Sequence, residues 1–181
     1  MTTAILDKPS NAKPAPEGRA VHCKGVTKHY GAGDNKVMAL QGVDLDIGYG
    51  ELMMLVGPSG CGKTTLISVI AGILDRDEGE CSVFGLDYNT ISQRQRTLWR
   101  GQNIGFVFQA FNLLPRTSVF ENVELPLLYD RNGTENTKER VTAALRAVNM
   151  EHRSSFFSSQ LSGGEKQRVA IARALVNNPK I

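Results

Sequence analysis

The stretch "ELMMLVGPSGCGKTTLISVIAGIL", residues 51–74, contains the strongest indication of the fold. It starts with a short continuous apolar run, "ELMMLVG" (residues 51–57), which is typical of a strand buried on both faces. Glycines follow at Gly57, Gly60 and Gly62, and apolar residues then recur with helical spacing. The stretch therefore predicts a buried strand, a glycine-rich turn and a helix.

The turn itself, "GPSGCGKT" (residues 57–64), fits the pattern G-x-x-x-x-G-K-[ST] between a strand and a helix. Backbone N–H groups of such a turn converge on phosphate oxygens, and the helix dipole favours the same negative charge. Lys63 can reach the β- and γ-phosphates, the Thr64 hydroxyl can ligate Mg²⁺, and Thr65 can bond the α-phosphate. The pattern predicts a nucleoside triphosphate site and leaves kinase, GTPase and ATPase open. Its predicted residues are Gly57, Pro58, Ser59, Gly60, Cys61, Gly62, Lys63, Thr64 and Thr65.

Strands are predicted on both sides of this stretch. Residues 20–30 and 36–50 alternate apolar and polar side chains, which indicates two antiparallel strands with one solvated face. "CSVFG" (residues 81–85) predicts a short strand, and "NIGFVFQ" (residues 103–109) predicts a second buried one. The sequence therefore indicates an α/β protein.

The second half of the chain is mostly helical in pattern. Residues 118–129 and 137–150 read as helices, with Pro126 bending or ending the first. A long amphipathic helix begins near Gly163 and ends before Pro179. A helical insertion between two parts of the core is the simplest interpretation.

Composition limits the function classes. A length of 181 residues predicts one compact unit with a small subdomain, and residues 1–20 are rich in proline and polar residues and read as a flexible tail. The net charge of +3 is too small and dispersed to indicate nucleic-acid binding, and no apolar run is long enough to span a bilayer. The three cysteines, Cys23, Cys61 and Cys81, lie far apart and suggest neither a zinc site nor a disulfide framework, so a reducing cytosol fits best.

A second glycine motif, "LSGGEKQ" (residues 161–167), resembles the signature of the ATP-binding-cassette ATPases. With "GPSGCGKTT" before it and "FVFQ" between, the order and spacing of the motifs are similar to that family over most of the chain. The residues in and around these motifs most resemble the bacterial lipoprotein-releasing and macrolide-exporting branch. The resemblance implies a P-loop NTPase (RecA-like) α/β core, an N-terminal antiparallel β subdomain and an inserted helical subdomain at about residues 112–162, all within an ATP-binding domain of residues 21–181.

The resemblance also implies a homodimer in which two ATP-binding domains pack head to tail. In that arrangement Ser162, Gly163, Gly164 and Glu165 contact the ATP held by the partner's phosphate loop. The structural alternative is an N-capped amphipathic helix with Glu165 in its first turn. Two consecutive glycines favour the signature interpretation, because a capping box does not demand them.

Further positions take roles by the same resemblance. Tyr30 matches the aromatic residue that stacks on adenine, and a half-buried strand aromatic is its alternative. Gln109 matches the glutamine that touches Mg²⁺ and the attacking water, and an amide capping a strand end is its alternative. Lys63 and Gln109 are therefore the predicted catalytic residues, and Thr64 and Gln109 are the predicted metal contacts.

The chain departs from the family after the signature helix. The family's next strand carries an aspartate for Mg²⁺ and a glutamate for the attacking water, followed by a switch histidine, and the last six residues, "VNNPKI", contain none of these. The resemblance therefore implies a core that is incomplete before this strand. It predicts a chain that binds ATP without effective hydrolysis by itself.

The predicted function is that of an ATP-binding subunit of a transporter. The intact protein would hydrolyse ATP to drive a separate membrane permease, at the cytoplasmic face of the inner membrane as a peripheral subunit. Phe111, Leu113 and Leu114 lie where the family receives the permease's coupling helix, although they could equally be subdomain core. The alternatives are a soluble cassette ATPase outside transport and a nucleotide-binding fragment.

Overall fold

The computed structural model describes residues 18–129 and 136–181. Residues 1–17, which include most of the predicted tail, lie outside the described residues. The chain divides into two compact units, Met1–Arg96 and Thr97–Ile181. The predicted tail boundary at residue 20 falls inside the first strand, which begins at Arg19.

The first unit is built on a three-stranded antiparallel sheet. Its strands are β1 (Arg19–Tyr30), β2 (Val37–Gly48) and β3 (Glu78–Val83), in the order β2-β1-β3. The two predicted antiparallel strands are confirmed, and β3 begins three residues before the predicted position. A short 3-10 turn, Gly33–Asn35, joins β1 to β2.

Helix α1 (Lys63–Ile70) packs against β2 and β3 and buries Leu66 and Val69. It ends at Ile70, four residues before the end of the stretch in which apolar residues recur with helical spacing. Gly72 adopts a left-handed φ of 65° two residues after the helix, a conformation that stops helical propagation.

The second unit is helical. It contains α3 (Val119–Glu124), which continues as a 3-10 turn across Pro126, α4 (Thr137–Ala147) and α5 (Gly163–Leu175), while α2 (Gln93–Asn103) spans the boundary between the units. The prediction that the helix bends or ends at Pro126 is confirmed. Helix α5 is the longest at 13 residues, and no helix in the described ranges is long and apolar enough to cross a membrane. The buried core of this unit includes Val119, Val123, Val141, Leu145, Met150, Val169 and Ala172.

The two predicted buried strands are wrong for the described structure. Residues 51–57 belong to no strand, and Leu52 and Val56 are 92% and 85% exposed. Residues 104–108 also lack strand structure, because α2 extends to Asn103 and an irregular segment follows. An apolar run becomes a buried strand only where neighbouring strands satisfy its N–H and C=O groups and cover its faces.

One end of the second segment does have a neighbour. The N–H groups of Lys180 and Ile181 donate to the Asn103 carbonyl at 3.0 and 3.1 Å, and the Gly105 N–H donates to the Ile181 carbonyl at 2.7 Å. Ile181 thus donates to Asn103 and accepts from Gly105, two residues further along. This alternation is the hydrogen-bond pattern of two paired parallel strands. The segment therefore begins a strand pairing that extends over three residues.

Asn122 is a buried polar residue that fixes the chain before α3. Its amide donates to Thr117 Oγ1 at 2.7 Å and to the Ser118 carbonyl at 2.9 Å, while its Oδ1 accepts from the Leu114 N–H at 2.7 Å. The residue has no exposed surface. One fully buried side chain therefore bonds polar groups of three residues in the preceding turn.

We expect Asn122→Ala to lower the free energy of unfolding by about 3 kcal/mol, because the hydrogen bonds that this buried side chain makes to Leu114, Thr117 and Ser118 would be lost. Urea denaturation monitored by circular dichroism measures the loss. Gln102→Ala, at an exposed position on α2, is the control and should change stability by less than about 0.5 kcal/mol. Equal losses in the two variants would contradict the role of Asn122.

Candidate functional site

The glycine-rich loop of the first unit ends at Gly62, the residue before α1. Gly62 has a φ of 91°, and a Cβ there would lie 2.4 Å from the Ala39 carbonyl oxygen of β2. Only glycine fits both the left-handed backbone and the close approach of the sheet. The Leu66 N–H donates to the Gly62 carbonyl at 2.9 Å, so the helix starts where the loop touches β2.

Lys63 is folded back over this loop. Its Nζ donates to the Gly57 carbonyl at 2.8 Å and the Pro58 carbonyl at 2.6 Å, and it lies 3.4 Å from Cys61 Sγ. Among the residues that the structure describes, no side chain caps the start of α1. An ammonium group and uncapped N–H groups therefore occur together, which is the chemistry of an anion site.

Tyr30 lies beside the same helix start. It is the last residue of β1, its ring is 43% exposed, and its hydroxyl is 3.5 Å from Thr65 Oγ1. The structure thus brings the predicted aromatic residue next to the predicted phosphate loop. A large exposed ring at this position offers a flat apolar face to a ligand.

Asp77 was not identified from the sequence, and it holds the end of β1. Its carboxylate accepts from Lys28 Nζ at 2.8 Å and from the His29 N–H at 2.6 Å, and it contacts His29 Nδ1 at 3.0 Å. These bonds, the one from Lys28 foremost, hold the pKa of Asp77 well below its ordinary value. The carboxylate thereby fixes the two residues before Tyr30. No sequence signal marks it, because its partners are about fifty residues away.

Gln109 lies in the second unit, in an exposed turn that α5 supports. Phe111 and Asn112, which follow it, have left-handed φ values of 61° and 48°. Arg173 of α5 donates to their carbonyls at 2.6 and 2.7 Å, and burial lowers the pKa of its guanidinium. A fork of parallel donors suits two adjacent carbonyls, so Arg173 holds this strained turn. The sequence placed Arg173 on the helix without indicating this contact.

The second glycine motif forms a complete capping box at the start of α5. Ser162 Oγ accepts from the Glu165 N–H at 3.4 Å, and Glu165 Oε2 accepts from the Ser162 N–H and hydroxyl, both at 2.8 Å. The backbone bond from Ser162, with its hydroxyl second, lowers the pKa of Glu165. Glu165 also faces Arg153, whose Nε is 3.5 Å from Oε1. The alternative interpretation of these residues, an N-capped helix with Glu165 in its first turn, is therefore present in the fold.

The backbone and surroundings of the two glycines in this motif do not require glycine, unlike those of Gly62. Neither Gly163 nor Gly164 adopts a left-handed φ. A Cβ at Gly163 would meet nothing within 4 Å, and one at Gly164 would lie 3.9 Å from Arg168 Nη1. The folded chain by itself has room for side chains at both positions.

The predicted site residues thus form two groups. In the first unit, Tyr30 and residues 57–65 lie together around the start of α1. In the second unit, Ser162–Glu165 form the start of α5, and Gln109 precedes the turn held from the same helix. Their assignment to nucleotide and metal remains a prediction.

Gly62→Ala should destabilise the first unit more than Gly60→Ala. Both glycines have left-handed φ values, 91° and 81°, and the alanine penalty for this backbone is about 1 kcal/mol. Only Gly62 also faces a backbone oxygen at 2.4 Å from the added Cβ, whereas Gly60 faces open space. Thermal unfolding of both variants measures the difference, and an equal fall in melting temperature would contradict the close seating of the loop on β2.

Three comparisons with known proteins agree with this geometry. The family model described as "ABC transporter" matches residues 40–181. The lipoprotein-releasing system ATP-binding protein LolD of Pseudomonas syringae pv. tomato is 40% identical, over 87% of this chain and 69% of its own length. The dimeric structure of the ATP-binding cassette MJ0796 in a post-hydrolysis state, bound to ADP and Pi, has a TM-score of 0.83 at 41% identity and covers 88% of this chain and 70% of that one.

A longer relative shows the same segment inside a larger protein. The macrolide export ATP-binding/permease protein MacB of Bdellovibrio bacteriovorus is 42% identical over 89% of this chain, which spans 24% of that protein's length. The predicted resemblance to cassette ATPases and the predicted fold class are confirmed. With its glycine-rich loop before α1 and its second glycine motif before α5, the chain belongs to the ABC transporter family and is similar to that family's ATP-binding proteins over about 70% of their length.

Proposed function

We propose that this domain binds ATP through the loop of residues 57–65, with Tyr30 stacked on the adenine. The observation that supports this most is the joint position of the Lys63 ammonium, the uncapped start of α1 and the exposed Tyr30 ring, 3.5 Å from Thr65 at its hydroxyl. Lys63 would exchange its two carbonyl partners for β- and γ-phosphate oxygens. ATP supplies the phosphoanhydride bond, and these residues hold and orient it.

The residues also fit Mg²⁺ as a companion of the nucleotide. In the described ranges, no group of three or more His, Cys, Asp or Glu side chains could hold a metal ion alone. Mg²⁺ bound with a nucleotide usually takes one or two protein ligands, substrate phosphates and waters. The exposed hydroxyl of Thr64, in the first turn of α1, suits that role, and Gln109 is the proposed second contact.

The start of α5 is proposed to bind the phosphates of ATP held by a second copy of the chain. Gly163 and Gly164 support this, because the fold has room for a Cβ at both and so does not require glycine. A phosphate group approaching the helix start closely does benefit from bare N–H groups. Ser162 would offer its hydroxyl and Glu165 would hold it in place, in a head-to-tail homodimer.

For the whole protein we propose ATP hydrolysis that drives a membrane permease, with the domain bound at the cytoplasmic face of the inner membrane. The turn at Phe111, with the exposed Leu114 after it, is the proposed docking place for the permease, whereas Leu113 packs against the helical core.

Two variants separate the halves of the proposed site. Lys63→Ala should weaken ATP binding by one chain roughly 100-fold, because a charged contact to phosphate is lost. Ser162→Asp should leave that binding unchanged and abolish ATP-driven dimerisation, because aspartate still caps the helix but repels the partner's phosphates. Calorimetry measures binding and sedimentation velocity with Mg²⁺ and ATP measures dimerisation.

Ser162→Thr is the matched control, since it keeps both the cap and the hydroxyl and should still dimerise. Equal loss of one-chain binding in the Lys63 and Ser162→Asp variants would contradict a site shared between copies. Intact dimerisation in Ser162→Asp would contradict contact between α5 and the partner's ATP.

Tyr30→Ala should weaken ATP binding about tenfold and leave binding of inorganic triphosphate unchanged, because base stacking contributes about 1–3 kcal/mol. Tyr30→Phe, which keeps the ring and loses the contact to Thr65, should bind ATP nearly as the native chain does. Tyr49→Ala removes another exposed tyrosine of the same unit, stacked on Phe84, and serves as the control. Parallel losses for ATP and triphosphate in Tyr30→Ala would count against stacking.

A further inference from the structure

Two of the three cysteines face each other inside the first unit. Cys23 of β1 and Cys81 of β3 are direct partners in the antiparallel register. Their sulfurs are 3.5 Å apart, both side chains are buried, and both thiols are free. They lie 58 positions apart in sequence, so the spacing suggested no disulfide, and the sheet creates this pair.

The surroundings make the two sulfurs chemically different. The Cys23 thiol donates its hydrogen bond to Cys81, which lowers the pKa of Cys81, and the Arg76 cation lowers it further. The same bond and burial raise the pKa of Cys23. Arg76 is held by Asp87, at 2.6 and 2.8 Å, and the Asp87 charge opposes its effect on Cys81. Arg76 favours a thiolate on either sulfur, and Cys81, which accepts the hydrogen bond across the 3.5 Å contact, is the better candidate for the nucleophile, with Cys23 as its resolving partner.

We propose that Cys23 and Cys81 form a reversible dithiol–disulfide site that reacts with hydrogen peroxide. The Cys81 sulfur attacks one peroxide oxygen, the O–O bond breaks, and the leaving hydroxide takes a proton to become water. Cys81 is then a sulfenic acid. The Cys23 sulfur attacks Cys81 Sγ, loses its proton and expels the second hydroxide as water, so that two thiols and one peroxide give one disulfide and two waters.

The geometry favours this outcome over further oxidation. The resolving sulfur already contacts Cys81, so closure needs an approach of about 1.5 Å to reach a disulfide bond. Both side chains are almost fully buried, so the proposed oxidant is the small hydrogen peroxide molecule and not a larger disulfide. The proposal for the two cysteines does not rest on the proposed ATP binding. Neither cysteine lies in the loop of residues 57–65, and neither contacts Tyr30 in the described hydrogen bonds.

The bond would constrain the first unit. It would close a loop between β1 and β3 that contains all of β2 and α1. Crosslinking restricts the unfolded chain, so the oxidised form should have a roughly 100-fold smaller equilibrium constant for unfolding. Oxidation would thus change the stability of the sheet that holds the phosphate loop.

The test treats the folded native chain with hydrogen peroxide and then maps its peptides by mass spectrometry without reduction. The expected product is one crosslinked pair containing Cys23 and Cys81, with a mass loss of about 2 Da that dithiothreitol reverses. Cys61 should stay outside the crosslink. In denaturant, where the sheet is absent, crosslinks that include Cys61 should appear as well.

Single variants assign the roles of the two sulfurs. Cys23→Ser should leave Cys81 as a sulfenic acid that dimedone labels, and Cys81→Ser should abolish the reaction at Cys23. The proposal is overturned if folded native chain gives Cys81 sulfinic acid without a crosslink. It is also overturned if peroxide leaves both thiols unchanged while the chain remains folded by circular dichroism.

Discussion

The contact between Gly62 and the Ala39 carbonyl is the constraint on which the first unit depends. The loop passes so close to β2 that no side chain fits at residue 62, and the backbone there turns into α1. That turn directs the first N–H groups of the helix and the Lys63 ammonium to the same place. It also brings Thr65 to within 3.5 Å of the Tyr30 hydroxyl. A steric restriction on one residue thus places the Lys63 ammonium and the start of α1 beside Tyr30, the residues that are proposed to bind phosphate and adenine.

The second unit also has a glycine-rich helix start, but hydrogen bonds rather than a steric contact fix it. Its helix start is satisfied internally, since Ser162 and Glu165 exchange hydrogen bonds across the first turn of α5. The other half of the helix reaches the turn after Gln109 through Arg173. One rigid helix therefore has a glycine-rich start and a contact to the turn of Gln109. A rigid element that contacts two places can relate their conformations without any change in its own.

Local patterns predicted well what local chemistry decides. The glycine-rich loop before a helix, the capping box, the helix end near Pro126 and the first two strands follow from residue types within a few positions of each other. The predictions of strands at residues 51–57 and 103–109 were wrong. An apolar run indicates that a segment favours burial, but it does not show which strands would lie beside it. Asp77 and Arg173 could not be found either, since both act on backbone groups far away in sequence.

The folded-back Lys63 has a consequence for the choice of anion. Its ammonium is already bonded to two carbonyl oxygens, so an incoming group must offer more than these before the side chain leaves them. A monovalent ion with a single strong oxygen gains little by this exchange, whereas a polyphosphate brings several charged oxygens to the ammonium and the loop N–H groups together. In the proposed site, Lys63 would therefore favour a polyphosphate over an anion with a single charged oxygen.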